Sequence, residues 1–488
     1  MIDMTDKVCG NKGELRYTLW RGGQAPGPLC VLLPEEEDTE KSLMEKAELI
    51  LAEKAQEKHP SWLLVPWCYG GWEKWEQALA LHELLFDLSE QESLLDGCRF
   101  YLLGGQGAWA VASRFPSRFA AVAAFAGPRD PYQARNLKFV PFWGFERKEY
   151  GLAAECSVAL GPQGTSCRKA VMALRTCGAE NARYTCLQSN SASSALWRQA
   201  AEETEFLSWL FSQDRRKQFA VHYLRPGLFR IDDYFTSSAY LVCGTQKALL
   251  IDTGMGEGDL AGLVRSLTPL PVELAVTHPH QDHMAHAASF SSVWMQSRDA
   301  AAIWEQSGLM DYMKSRGFSM PSRKAVFPLE AGSKIDLGGG VIIEALDLPG
   351  HTPHSLVFKD SFHKSIFTGD AIGSGYIVLM ICRWEEWRKR ISDYQTALRK
   401  FRDNQPDLED YAWYGGHFIQ ENGCDMRRQE WYLSGKSLYF NPISGRVVED
   451  MITLCTMLLE GLIPEEQLRN SPEHHAQWRE AGVSFRFL

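Results

Sequence analysis

The chain has 488 residues, 45% of them hydrophobic, which is enough apolar material for two or three substantial cores rather than one. With 51 Lys and Arg against 61 Asp and Glu, its formal net charge is −10, and this balance excludes a generally basic nucleic-acid surface. The opening Met1 to Lys7 lacks an apolar signal region and no run of about twenty apolar residues follows, so a soluble, cytoplasmic protein with no membrane partner is expected. The 12 cysteines are scattered singly without a Cys-x-x-Cys pair. Contexts such as Val242-Cys243 and Leu454-Cys455 suit reduced, buried thiols.

In chain order, Leu29-Cys30-Val31-Leu32-Leu33, Trp62-Leu63-Leu64-Val65-Pro66 and Phe100-Tyr101-Leu102-Leu103-Gly104 are short apolar runs separated by helix-like stretches, the alternation of a mostly parallel sheet. Gly104-Gly105-Gln106-Gly107-Ala108-Trp109 and Arg114 to Val122 follow the third run. This region resembles the nucleophile elbow of an α/β-hydrolase of the feruloyl-esterase and polyhydroxybutyrate-depolymerase branch, a likeness that Asp130-Pro131-Tyr132, Val140 to Trp143, Tyr184 to Trp197 and Phe206 to Leu210 continue. The resemblance implies a catalytic serine where this chain has Gln106, and a histidine within Ser189 to Trp197, where none occurs. The acidic member has no clear equivalent beyond Glu146 or Glu149, so the domain is expected to be non-catalytic. Trp67, Tyr69, Trp72 and Trp75 suit either a retained substrate groove or plain packing; Cys68 has no base near it in sequence.

A charged break at Asp214-Arg215-Arg216-Lys217-Gln218 separates residues 1–213 from a second domain over residues 219–465. There Leu274-Ala275-Val276-Thr277 reads as a buried strand leading into His278-Pro279-His280-Gln281-Asp282-His283. Three imidazoles and a carboxylate within six residues are a metal-binding pattern. Alternate residues of an extended turn can converge, so His278 and His280 suit one ion while Asp282 and His283 face a neighbour.

The motif resembles that of the metallo-β-lactamase superfamily. Leu249 to Gly254, with Asp252, Leu348-Pro349-Gly350-His351-Thr352, Ile366-Phe367-Thr368-Gly369-Asp370 and Tyr414-Gly415-Gly416-His417 then follow in that superfamily's order. The resemblance implies an αββα sandwich, Asp252 bracing the metal loop, His278, His280 and His351 on a first metal, Asp282, His283 and His417 on a second, and Asp370 between them. Met284-Ala285-His286 departs from the pattern, standing where small residues, often Gly-Gly, are common. His286, His354 and Tyr376 are neighbours of weaker promise, with packed or bracing roles at least as fitting. Two divalent ions are implied, zinc favoured over iron or manganese by the nitrogen and oxygen donors.

Such a centre activates water without a protein nucleophile, with Asp282 and Asp370 as the catalytic carboxylates. The expected activity is hydrolysis of a small ester, thioester or lactone, the C-terminal half being most similar to the glyoxalase-II-like members. A phosphodiester hydrolase and a non-enzymatic metal-binding or assembly protein are the alternatives. Farther on, Arg383 to Arg390 reads as an amphipathic helix, and Val447 to Leu462, after Pro442, as a closing helix. Residues 466–488 read as an appended tail, with His474 and His475 as surface groups.

Overall fold

A computed structural model describes residues 7–12, 15–22, 26–127, 133–147, 166–177, 179, 181–187, 193–233, 235, 237–373, 378–417, 444–471, 474–479 and 481–488. The chain divides into two compact units between Arg215 and Arg216.

The first unit is built on eight strands: β1 (Lys7–Lys12), β2 (Leu15–Trp20), β3 (Gly27–Leu32), β4 (Trp62–Trp67), β5 (Leu95–Gly104), β6 (Ala121–Ala124), β7 (Phe142–Arg147) and β8 (Ala182–Leu187). They lie in the order β1-β2-β4-β3-β5-β6-β7-β8. Pairings from β4 to β8 are parallel, while β2 runs antiparallel to both neighbours. This is an α/β-hydrolase-like sheet. Alternation along its strands feeds two cores: Leu29, Val31, Leu64 and Leu102 pack on one face, and Cys30, Leu32, Leu63 and Leu103 on the other. Burial on both faces explains why these strands read as unbroken apolar runs.

The second unit stacks two sheets. The first holds β9 (Ala220–Arg225), β10 (Leu228–Asp232), β11 (Ser238–Cys243), β12 (Ala248–Ile251), β13 (Val272–Ala275), β14 (Val293–Gln296) and β15 (Val326–Leu329), paired in sequence order. Next come β16 (Lys334–Asp336), β17 (Ile342–Asp347), β18 (Leu356–Asp360), β19 (Ser365–Gly369), β20 (Val378–Cys382) and β21 (Ala412–Gly415). The second sheet has the order β16-β17-β18-β19-β21. Tyr240, Leu249 and Ile251 of the first sheet meet Ile343, Phe358 and Phe367 of the second in one core, the Tyr240 and Phe367 rings lying 4.9 Å apart. Helices Trp387–Asn404 and Val447–Leu459 cover the outer face of the second sheet through Ile391, Leu398, Met451 and Leu454.

The closing residues differ from expectation. After helix Glu465–Asn470 the chain forms β22 (Ala476–Trp478) and β23 (Ala481–Phe487), and β23 pairs in parallel with β20. Ala481, Val483 and Phe485 are buried in the helix-side core, so residues 466–488 are built into this unit instead of being appended to it. The physical reason is a period-2 pattern whose apolar face finds β20 and helix Val447–Leu459.

Candidate metal centre

The site forms where strands end at one edge of the sandwich. Beyond β12, Asp252 takes the left-handed region at φ 60, which an aspartate tolerates better than most residues. That turn aims its carboxylate at the loop after β13. It accepts from the Thr277 amide at 2.7 Å and the Thr277 hydroxyl at 2.8 Å, and lies 2.9 Å from His283 Nδ1. The latter contact fixes the ring so that Nε2 points forward. His278 and His280 lie on the extended loop, and Asp282 and His283 on the single turn Gln281–Met284 that follows.

Three further segments close the cluster: His351 follows β17, Asp370 follows β19, and His417 follows β21. His280 Nδ1 is 3.1 Å from His278 Nε2 and 3.0 Å from His351 Nε2. On the other side His417 Nε2 is 3.3 Å from an Asp282 oxygen and His283 Nε2 is 3.7 Å from it. Asp370 Oδ2 lies 3.5 Å from His283, 3.6 Å from His351 and 3.5 Å from His417, between the two groups. Ligand atoms of His278, His280 and His351 lie within 4.8 Å of one another, as do those of Asp282, His283 and His417, and of His278, His283 and Asp370. Gly416 must be glycine here, since a Cβ would stand 2.6 Å from Asp370 and 2.7 Å from the His283 ring.

The donor set fits a cation. His283 Nε2 is buried without a hydrogen-bond partner, and ring nitrogens face ring nitrogens at hydrogen-bond distance, where neutral imidazoles set lone pairs on a common point. Electrostatics divide the histidines. Burial, reinforced by neighbouring imidazoles, pushes His278 well below its ordinary value and His280 down to about 4. Burial works against the charged forms of Asp282 and Asp370 too, but His283 and His417 beside them outweigh it and hold both carboxyls low. The same carboxylates overcome burial to push His283 well up and His417 to about 10.

All seven residues singled out in the sequence as ligands therefore converge. His354 is not among the grouped ligand atoms, and His286 is buried behind the loop, its Nε2 2.7 Å from the Gly256 carbonyl. Sequence reasoning missed three residues that hold His417 in place: Ser238, whose amide donates to the Gly416 carbonyl at 2.7 Å, Tyr240, whose hydroxyl donates to the Gly415 carbonyl at 2.6 Å, and Asp233 in the hairpin beside His417. Tyr240 reads as one more core aromatic of β11, so nothing in its spacing betrays it.

In the first unit Gln106 opens helix Gln106–Arg114, and Gly105 before it is packed against the Glu35 carboxylate, which a Cβ there would displace. Glu146 ends up structural, accepting from the Cys167 amide and, at 3.1 Å, from the Tyr184 hydroxyl. Burial pushes the Cys68 thiol up to about 11, which suits an inert thiol. Trp72 is buried with its indole N–H on the Pro34 carbonyl, and Trp75 packs on Phe115, whereas Tyr69 is exposed. Asp130, Glu149, Ser189 to Ala192 and Tyr376 lie outside the described residues.

Residues 232–417 match the family model described as the metallo-beta-lactamase superfamily. The chain is 27% identical over 214 residues to acyl-coenzyme A thioesterase MBLAC2 of Gallus gallus, covering 38% of this chain and 75% of that protein. It is 26% identical over 216 residues to hydroxyacylglutathione hydrolase GloC of Haemophilus influenzae, covering 42% of this chain and 95% of the relative. Among solved structures, a thermostable esterase aligns at 21% identity over 43% of this chain and 64% of its own, with a TM-score of 0.36. A metallo-beta-lactamase of Cronobacter sakazakii aligns at 17% identity over 51% of this chain and 96% of its own, with a TM-score of 0.36.

Proposed function

We propose, on the premise that residues 232–417 form a metallo-beta-lactamase domain, that this chain is a two-metal hydrolase of small thioesters. The reading rests above all on Asp370, whose single oxygen lies 3.5 to 3.6 Å from histidines of both groups. His278, His280 and His351 would hold one divalent ion, zinc being favoured, and Asp282, His283 and His417 the other. Ions so placed lower the pKa of water towards neutrality and polarise an acyl carbonyl. The protein keeps His278 and His280 neutral by burial, keeps Asp282 and Asp370 ionised, and locks the His283 ring through Asp252. Thioesters are favoured within the wider ester class because MBLAC2 is named an acyl-coenzyme A thioesterase and GloC a hydroxyacylglutathione hydrolase.

The test is a substrate panel: a short-chain acyl-coenzyme A, an acylglutathione, a p-nitrophenyl ester, a lactone and bis(p-nitrophenyl) phosphate. Thioesters are expected to turn over fastest, and chelation to abolish turnover. Cleavage of the phosphodiester alone, or activity indifferent to chelation, would sink the reading.

Metal uptake is expected to release protons. In the metal-free protein His283 and His417 sit above their ordinary values and are protonated at pH 7, whereas a ligand imidazole is neutral. Apparent affinity therefore rises with pH as His417 approaches its value of about 10. Calorimetry in buffers of different ionisation enthalpy measures the release; a heat independent of buffer contradicts it.

The first unit supplies no triad in this reading. A serine-directed phosphonate is expected to leave residues 1–213 unlabelled, and Gln106→Ala to leave thioester turnover within about twofold. Stoichiometric labelling there would make this a two-centre enzyme.

A further inference from the structure

The loop Asp252 to Gly258 carries the carboxylate that orients His283, and it is gripped from two sides by residues that touch no proposed metal position. Asp233, buried at the end of β10, accepts from the Met255 amide at 2.7 Å with one oxygen and from the Ser237 amide at 3.0 Å with the other. Its own amide donates to the Ser237 carbonyl at 3.0 Å, and Ser237 bridges to His417. From the opposite side His286 places Nε2 2.7 Å from the Gly256 carbonyl, while its amide donates to Thr253 Oγ1 at 3.3 Å. Phe219 and Phe318 flank the His286 ring edge-on at 6.0 and 5.1 Å. The grip is tight: a Cβ on Gly254 would meet Asp233 at 2.7 Å, and one on Gly256 would meet Phe219 at 2.8 Å.

Two consequences converge on one side of the centre. Thr253 donates its amide to the His283 carbonyl at 3.0 Å, so the loop fixes both the backbone and, through Asp252, the ring of His283. Asp233 fixes the hairpin that bridges to His417. His283 and His417 belong to one ligand group with Asp282; of the group His278, His280 and His351, His278 is reached at one remove, through Thr277, whose hydroxyl donates to Asp252 and lies 3.1 Å from His278 Nδ1.

We infer that Asp233 and His286 are positioning residues selective for the Asp282–His283–His417 metal position. The His286 imidazole joins the metal loop to the Asp252 loop by a side-chain hydrogen bond that a glycine at that position cannot make. The inference rests on the two-metal reading and deepens it.

The test is cobalt(II) titration of the metal-free full-length protein at pH 7.5, followed by visible absorbance against a competing chelator. In the unaltered protein two equivalents should bind; fewer than two would remove the two-metal reading and this inference with it. Asp233→Asn leaves one acceptor where there were two, so that either the Met255 or the Ser237 amide faces a donor, and His286→Met keeps bulk but loses the donor. Each is expected to weaken one equivalent at least about tenfold and leave the other within about twofold. His286→Gln, whose amide can still donate to the Gly256 carbonyl, should recover most of that affinity. With metal limiting, kcat should fall while KM holds, and excess cobalt should restore it. Should His286→Met fail to fold, Asp233→Asn and His286→Gln carry the decision. Two equivalents bound as in the unaltered protein, or both weakened alike, would overturn the inference while leaving the two-metal reading intact.

Discussion

Asp370→Ala is expected to lower kcat by at least about a hundredfold and to leave one metal equivalent weakly held. The geometry gives the reason: one carboxylate oxygen lies within 3.6 Å of His283, His351 and His417, so its removal takes away the carboxylate that stands between the two groups. Asp370 is also the first charge that keeps His417 high against burial, and the alanine variant should bind a proton at His417 less tightly. Asp370→Asn separates shape from charge. It fills the same space beside Gly416, yet should be nearly as impaired if the charge is what matters. Turnover and metal content measured on the same preparation decide the point, and activity within a few-fold of the unaltered protein would mean that Asp370 does not bridge.

The seven converging side chains were legible because each stands at the end of an apolar run, where a strand must stop and a loop open. His278 to His283 further declare themselves by local spacing, while His351, Asp370 and His417 depend on order along the chain. What surrounds them was not legible. Asp233 is one acidic residue among many until the fold brings Met255 to it, and the left-handed turn at Asp252 leaves no trace in composition. His286 reads from the sequence more readily as a packed or bracing group than as a catalytic one, but its partner, the Gly256 carbonyl, is visible only in the fold. In the first unit the sheet was legible as alternating apolar runs, but β1 and β2, half polar at its edge, were not. Glu146 shows the limit of position alone: it stands where an acid was sought, and its carboxylate is taken up by Cys167 and Tyr184.

The second large effect concerns the end of the chain. Phe485→Ala is expected to cost about 3–5 kcal/mol in the second unit, the usual range for emptying a buried phenylalanine site. Phe485 is 3% exposed, packs 6.0 Å from the Trp387 ring and stacks 5.5 Å from Phe487. It also sits in register with Met380, so the cavity would open against β20 as well as beneath helix Trp387–Asn404. Leu488→Ala, at 85% exposure, is the control and should shift stability by no more than about 0.5 kcal/mol. Denaturant unfolding followed by a probe in the second unit compares the two. The outcome reaches the metal centre, because β20 is the next strand after Asp370 and β23 is its partner in the sheet. Loosening β23 should therefore lower metal affinity at temperatures where the unit is still folded. A loss below about 1 kcal/mol for Phe485→Ala, with metal affinity unchanged, would return residues 466–488 to the status of an appended tail.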